Sequence, residues 1–191
     1  MPLVKKKRND ILSVYEVKDM IEKANHEYMR CIISLLYLYG MRISEVLSLK
    51  KEDIRFDEYY LYCRIRVSKR QRKSKSEQIP YRHTIPVNVK HQFIHYIIDH
   101  WYNIDEGNYL FESRINSNEH IDRRTVALYL ERLNKSVYPH LFRHTRATRL
   151  AEAGASASQL QAWFGWSDMR PATVYVHQNI KMIRKLGDNI E

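Results

Sequence analysis

The chain has 191 residues, a formal net charge of +10, 28% charged residues of both signs and 44% hydrophobic residues. A chain of this length and balance buries a full core and is no polybasic disordered tail. The clustered positive charge favours a polyanion, nucleic acid first. No apolar run of membrane-spanning length or signal peptide is present, so a cytoplasmic, nucleic-acid-associated protein is expected.

Residues 1–10, with Lys5-Lys6-Lys7-Arg8, lack periodicity and read as a basic arm or linker. A helix is predicted from about Val14 to Ala24. Ile32, Leu35, Leu36 and Tyr39 then recur at helical spacing until Gly40, which suits a C-terminal cap, and a short helix follows with Ile43, Val46 and Leu47. Leu61, Cys63, Ile65 and Val67 alternate with Tyr62, Arg64 and Arg66, the period of a half-buried strand, and Thr84-Ile85-Pro86-Val87 is a plausible return strand. The tip between them is long and basic: Arg64, Arg66, Lys69, Arg70, Arg72, Lys73 and Lys75 occur without an intervening acid, a pattern that fits either DNA phosphates or a solvated basic face. Helices are expected at roughly 88–102 and 122–137. Cys31 and Cys63 have no CxxC spacing and read as reduced core residues.

In the last third, Pro139-His140 opens a helix that runs to about Ala153 and stops at Gly154. Ser156 and Gln159 form a capping box for the next, whose inner face carries Leu160, Trp163 and Phe164. Gly165 breaks that helix, and Pro171 sits where the first turn of a further helix begins, which gives Tyr175 a fixed address one turn along. Residues 11–177 therefore read as one domain, mainly α with a small antiparallel β-hairpin. Residues 178–191, with Ile180, Met182, Ile183 and Leu186 at helical spacing, read as a tail helix.

Several of these positions carry chemistry only in combination. Arg42 and Glu45 are one turn apart and on their own read as a salt bridge. His140 and Arg143 lie at a helix N-terminus that favours an anion, and arginine suits bidentate contact with phosphate. His140 and His144 have the spacing of half a metal site, but no third ligand follows at matching spacing, so no metal and no cofactor is expected.

GMRISE at 40–45, HLFRHT at 140–145, and FGW at 164–166 followed by YVH at 175–177 resemble, in order and spacing, the three signature boxes of the tyrosine recombinases, the phage-type integrases. The resemblance runs from about Ile11 to His177 and includes the nine-residue step from Trp166 to Tyr175. It implies a DNA strand-cleaving and rejoining enzyme in which Tyr175 is the nucleophile and Arg42 and Arg143 clamp the scissile phosphate. His140 would accept the tyrosine proton or add a hydrogen bond, Trp166 would support the site beside Glu45, and a hairpin lysine would protonate the leaving 5′ oxygen. Lys69 is the nearest match for that lysine, with Lys73 and Lys75 as rivals. Double-stranded DNA is the implied partner, with Arg64, Arg66, Arg70, Arg72, Lys73 and Lys75 along it, and the implied assembly is a homotetramer on paired sites from a chain monomeric when free. The family usually carries a helical DNA-clamping domain ahead of this segment; a catalytic fragment and a minimal recombinase both fit the ten residues found here. A type IB topoisomerase-like cleavage and a basic DNA-binding protein without chemistry are the alternatives.

Overall fold

The computed structural model describes residues 11–66, 81–116 and 119–177. Its elements are α1 (Val14–Lys23), α2 (Glu27–Tyr39), α3 (Ile43–Leu47), a 3-10 turn (Lys51–Asp53), β1 (Ile54–Phe56), β2 (Tyr60–Arg66), β3 (Tyr81–His83), β4 (Val87–Asn88), α4 (His95–Tyr102), α5 (Arg123–Leu133), α6 (Pro139–Glu152) and α7 (Ala157–Phe164). A last helical segment spans residues 170–177. The mainly α architecture with a small antiparallel sheet is as the sequence implies. The arm at 1–10, the hairpin tip with Lys69, Arg70, Arg72, Lys73 and Lys75, and the tail at 178–191 lie outside the described residues.

Helix α2 organises the molecule. Its run from Cys31 to Tyr39 is buried on every side, as expected of a helix apolar all round, and α1, α4 and α6 pack against it. Helix α1 is started by Ser13, whose hydroxyl accepts the Glu16 N–H at 3.2 Å while the Glu16 carboxylate accepts the Ser13 N–H at 2.8 Å. In the sheet β2 is central: it pairs antiparallel with β1 (Ile54 opposite Cys63), β3 (Arg64 opposite His83) and β4 (Leu61 opposite Val87). Leu61, Cys63 and Ile65 face the core, as their alternation predicts.

Three expectations change. The return strand is split, because β3 occupies 81–83, β4 occupies 87–88, and Thr84–Pro86 is not strand. The Thr84 hydroxyl accepts the Cys63 N–H at 2.8 Å in place of a backbone carbonyl, and Pro86 brings no donor to a ladder. Helix α4 starts at His95 rather than near 88, since Asn88 closes a turn by accepting the Lys90 N–H at 2.9 Å. Helix α5 ends at Leu133, four residues short of 137, because the Asn134 side chain takes the Ser136 N–H at 3.1 Å. Strand β1, only three residues long, is too short for a readable alternation.

Gly40 ends α2 in the left-handed region (φ 61°), and its N–H reaches the Leu36 carbonyl at 3.0 Å. A Cβ there would stand 2.6 Å from the Phe164 ring and 3.1 Å from Arg146 Cβ, so the packing of these two side chains against the end of α2 depends on its absence. Gly40→Ala combines a left-handed penalty with overpacking, and a loss of about 2–4 kcal/mol in urea-unfolding stability is expected.

Beyond the main core, Ala147, Ala151, Leu160, Phe164 and Ala172 form a second buried cluster, with Trp163, Trp166 and Tyr175 packed against it. This cluster fixes segment 170–177 against α6.

Candidate active site

The three boxes converge on one cavity of about 360 Å³, lined by Arg42, His140, Arg143, Trp166, Ser167, Pro171 and Tyr175. Two larger hollows, of about 490 and 460 Å³, lack paired arginines; the first mixes polar and apolar side chains and the second is lined mostly by apolar ones. Arg42 stands at the junction of α2 and α3, where its backbone N–H donates to the Glu45 carboxylate at 2.8 Å and its Nη1 to the other carboxylate oxygen at 2.9 Å. The first turns of α6 carry His140, Arg143 and His144. Trp166 follows the left-handed cap at Gly165, and segment 170–177 brings Tyr175 across from α6.

Arg143 is a buried cation, 2% exposed. Its Nη1 donates to the Gly40 carbonyl at 2.9 Å and its Nη2 to the Phe164 carbonyl at 3.0 Å, while its guanidinium lies 4.7 Å from the Phe164 ring centroid and 5.4 Å from that of Trp166. Two helix ends, α2 at Gly40 and α7 at Phe164, thus orient one side chain. Burial and the nearby Arg42 cation push its pKa down to about 10, and it stays charged at neutral pH.

Glu45 is the anion that makes this crowding tenable. Arg42 lies 2.9 Å, Arg82 3.2 Å and Arg143 3.9 Å from its carboxylate. Burial acts to raise its pKa, but Arg82, the Arg42 N–H, and the Arg42 and Arg143 cations outweigh it and hold the carboxyl below its ordinary value. Three guanidiniums around one carboxylate leave the cluster positive, a focus for an anion such as phosphate.

Arg82, on β3, was not singled out from the sequence. It passes over Gly165, where a Cβ would sit 2.6 Å from its Nε, and its Nη1 donates to the Trp163 carbonyl at 3.5 Å. Arg82 lies 37 positions from Glu45 in sequence, so no spacing signal marks it. The other unassigned residue is His144, whose Nδ1 stands 3.3 Å from Tyr175 Oη. Its only sequence cue is the one-turn step from His140, on the same face of α6. Tyr175 stacks parallel to Trp166, ring centroids 6.0 Å apart, and burial raises its phenol pKa, partly offset by Arg143. Of the hairpin residues, Arg64 donates from Nε to the fully buried Asp53 at 3.0 Å and covers the Tyr81 ring at 4.5 Å, so it has a duty within the fold. Arg66 lies 6.0 Å from the same ring.

Residues 8–182 match the sequence model of the phage integrase family. The chain belongs to this family. A tyrosine recombinase of Thermosipho africanus is 30% identical over 188 residues, covering 92% of this chain and 60% of that protein. Tyrosine recombinase XerC of Chlamydia trachomatis serovar L2 is 29% identical over 83% of this chain and 49% of its own length. The chain therefore spans about half to three fifths of the curated relatives it matches. Among solved structures, the XerH site-specific recombinase in its post-cleavage complex with palindromic difH substrate superposes with a TM-score of 0.73 at 17% identity, over 96% of this chain and 54% of that one. The crystal structure of XerA recombinase gives 0.69 at 24%, over 95% and 66%. At these identities the likeness is one of fold.

The histidines make this integrase-family fold sensitive to acid. His91, His100, His140 and His144 all have pKa values below the ordinary 6.5, with lost hydration the first cause in each. His100 shows the pattern best: it is buried, stacked on Phe111, and hydrogen-bonded through Nε2 to the Leu110 carbonyl at 2.7 Å. The unfolded chain takes up these protons first as the pH falls through 6.5. Stability is thus full above that value, declines below it and levels off once the folded-state values are passed. The urea midpoint should drop between about pH 7.5 and about pH 5; an unchanged midpoint would contradict these shifts.

Proposed function

We propose that the chain is the catalytic part of a site-specific DNA recombinase that cleaves and rejoins double-stranded DNA through a 3′-phosphotyrosyl intermediate. The observation that carries this reading is the cavity in which two arginines, a histidine and a tyrosine meet under the Trp166 ring. A phosphodiester is an anion that repels a nucleophile, and two guanidiniums neutralise it and stabilise the extra charge of the pentavalent transition state. Arg143, pre-oriented by two carbonyls, needs little reorganisation for this role, and the more exposed Arg42 meets the phosphate from the other side. His140, at the rim, adds a hydrogen bond to a non-bridging oxygen, and the Trp166 indole packs against the site. Lys69, with Lys73 and Lys75 as rivals, protonates the leaving 5′ oxygen. The product keeps the energy of the broken bond, so a 5′ hydroxyl reverses the step without ATP.

Arg64, Arg66 and the basic tip that follows would track the DNA backbone beside this cavity, with affinity falling steeply as salt rises. Relatives named as tyrosine recombinases support the reading over topoisomerase-like relaxation or binding without chemistry. Assembly of a monomeric free chain into a tetramer on paired sites, with residues 178–191 as a tail helix, belongs to the same proposal. The deciding experiment is incubation with a library of nicked suicide duplexes of random sequence in EDTA, followed by denaturing electrophoresis. A denaturation-resistant protein–DNA band is expected without added metal. Its absence across the library, or its dependence on magnesium, would overturn the proposal.

A further inference from the structure

Within the reaction proposed above, and resting on it, the geometry points to His144 as the base that takes the proton of Tyr175. Two histidines lie one turn apart on α6, and they face different things. His140 lines the cavity with Arg42 and Arg143, and both cations bear on it electrostatically. His144 lies behind the nucleophile: among the described residues it is the side chain hydrogen-bonded to Tyr175, Nδ1 to Oη at 3.3 Å, with the rings tilted at 44° and their centroids 5.5 Å apart.

Electrostatics favours the same residue. A proton accepted by His140 would sit beside two guanidiniums already committed to the phosphate. Among the described residues, the charged and titratable groups that His144 meets are His140 on its own helix and Tyr175 from segment 170–177; the neighbouring Arg143 is turned away, toward the Gly40 and Phe164 carbonyls. Burial and His140 hold the His144 pKa below its ordinary value, so the ring is neutral at neutral pH and, as the Nε2–H tautomer, presents Nδ1 as an acceptor. A separation of 3.3 Å is long for an O–H···N bond, as catalytic contacts often are before substrate is bound. Tyr175 needs such a base, because burial makes its phenol a weaker acid than usual.

The step balances without a further reactant. As the Tyr175 Oη–P bond forms and the P–O5′ bond breaks, the phenolic proton passes to Nδ1 of His144, and the displaced 5′ oxygen takes a proton from the hairpin lysine. On rejoining, the 5′ hydroxyl attacks phosphorus, the lysine recovers its proton, and the His144 imidazolium returns its own to the departing phenolate.

The test is single-turnover cleavage of a suicide duplex under saturating DNA by wild type, His144→Ala and His144→Gln, from about pH 5.5 to about pH 9. His144→Ala should be about 100-fold slower at neutral pH, with unchanged DNA affinity and a rate that keeps rising with pH where the wild type has levelled off. His144→Gln, which hydrogen-bonds but accepts no proton, should be equally slow. Replacing Tyr175 by 3-fluorotyrosine, a more acidic phenol, should restore much of the His144→Ala rate and change the wild type little. A His144→Ala rate within about threefold of wild type overturns the assignment. So does a normal rate for His144→Gln, which would mark a hydrogen bond that only positions the ring, or a deficit that neither pH nor fluorotyrosine relieves. Wild type that forms no adduct overturns the recombinase reading itself, whereas wild-type adduct with unaffected His144 variants overturns this role alone.

Discussion

Tyr175→Phe is expected to retain the fold and its affinity for DNA and to lose the covalent adduct completely. The ring keeps its packing, stacked on Trp166 and set against the Ala147, Ala151, Leu160, Phe164 and Ala172 cluster. Only the hydroxyl goes, and among the described residues its hydrogen bond is the 3.3 Å contact with His144. A half-buried bond of that length is worth about 1 kcal/mol or less, so thermal and urea midpoints should barely move. The chemical effect is total, because phenylalanine brings no nucleophilic oxygen to the place of the Tyr175 hydroxyl at the cavity. Denaturing gels of the suicide-duplex reaction read the adduct, and gel shifts under native conditions read the binding. Any adduct formed by the Phe variant, or a phosphotyrosyl peptide that maps to another of the fourteen tyrosines, would move the nucleophile elsewhere.

How much of this was legible in the sequence varies with the range of the interaction. Local signals carried far: the Ser156 and Gln159 capping box, the left-handed glycines at 40 and 165 and the alternation of β2 all place elements where the structure has them, because caps, turns and period-2 faces are decided within a few residues. The boxes also brought together Arg42, Glu45, His140, Arg143, Trp166 and Tyr175. What sequence spacing could not reveal was which group each would touch. Arg82 enters the Glu45 cluster from β3 only because β2 and β3 pair and Gly165 leaves it room, a matter of tertiary contact. His144 was visible as one half of a histidine pair, yet the face of Tyr175 it meets depends on how segment 170–177 returns across α6. The start of α4 was misplaced because the side chain of Asn88 competes for a backbone N–H, which a helical apolar pattern does not register.

Arg143→Lys should cost more activity than its conserved charge suggests. The guanidinium here does three things at once: Nη1 holds the Gly40 carbonyl, Nη2 holds the Phe164 carbonyl, and the remaining face of the group borders the cavity. A lysine ammonium is one point with three donors on a flexible stem, and it cannot span two carbonyls from separate helix ends while also bonding a phosphate oxygen in a planar, bidentate manner. If it turns to the carbonyls, the phosphate loses its buried clamp; if it turns to the phosphate, two buried acceptors lose their donor, at about 1–3 kcal/mol each. Single-turnover cleavage is therefore expected to fall by about 10³-fold, on the scale of removing a preorganised donor from a charged transition state, with a stability loss of about 1–3 kcal/mol alongside. Arg143→Ala should be slower still and less stable, because among the described residues Glu45 then keeps only Arg42 and Arg82 as charged partners. The two losses are read separately, by urea unfolding and by the cleavage rate at a temperature where both variants are folded. If Arg143→Lys cleaves within about tenfold of wild type, a point charge suffices at this position, and the preorganised fork is not what stabilises the transition state.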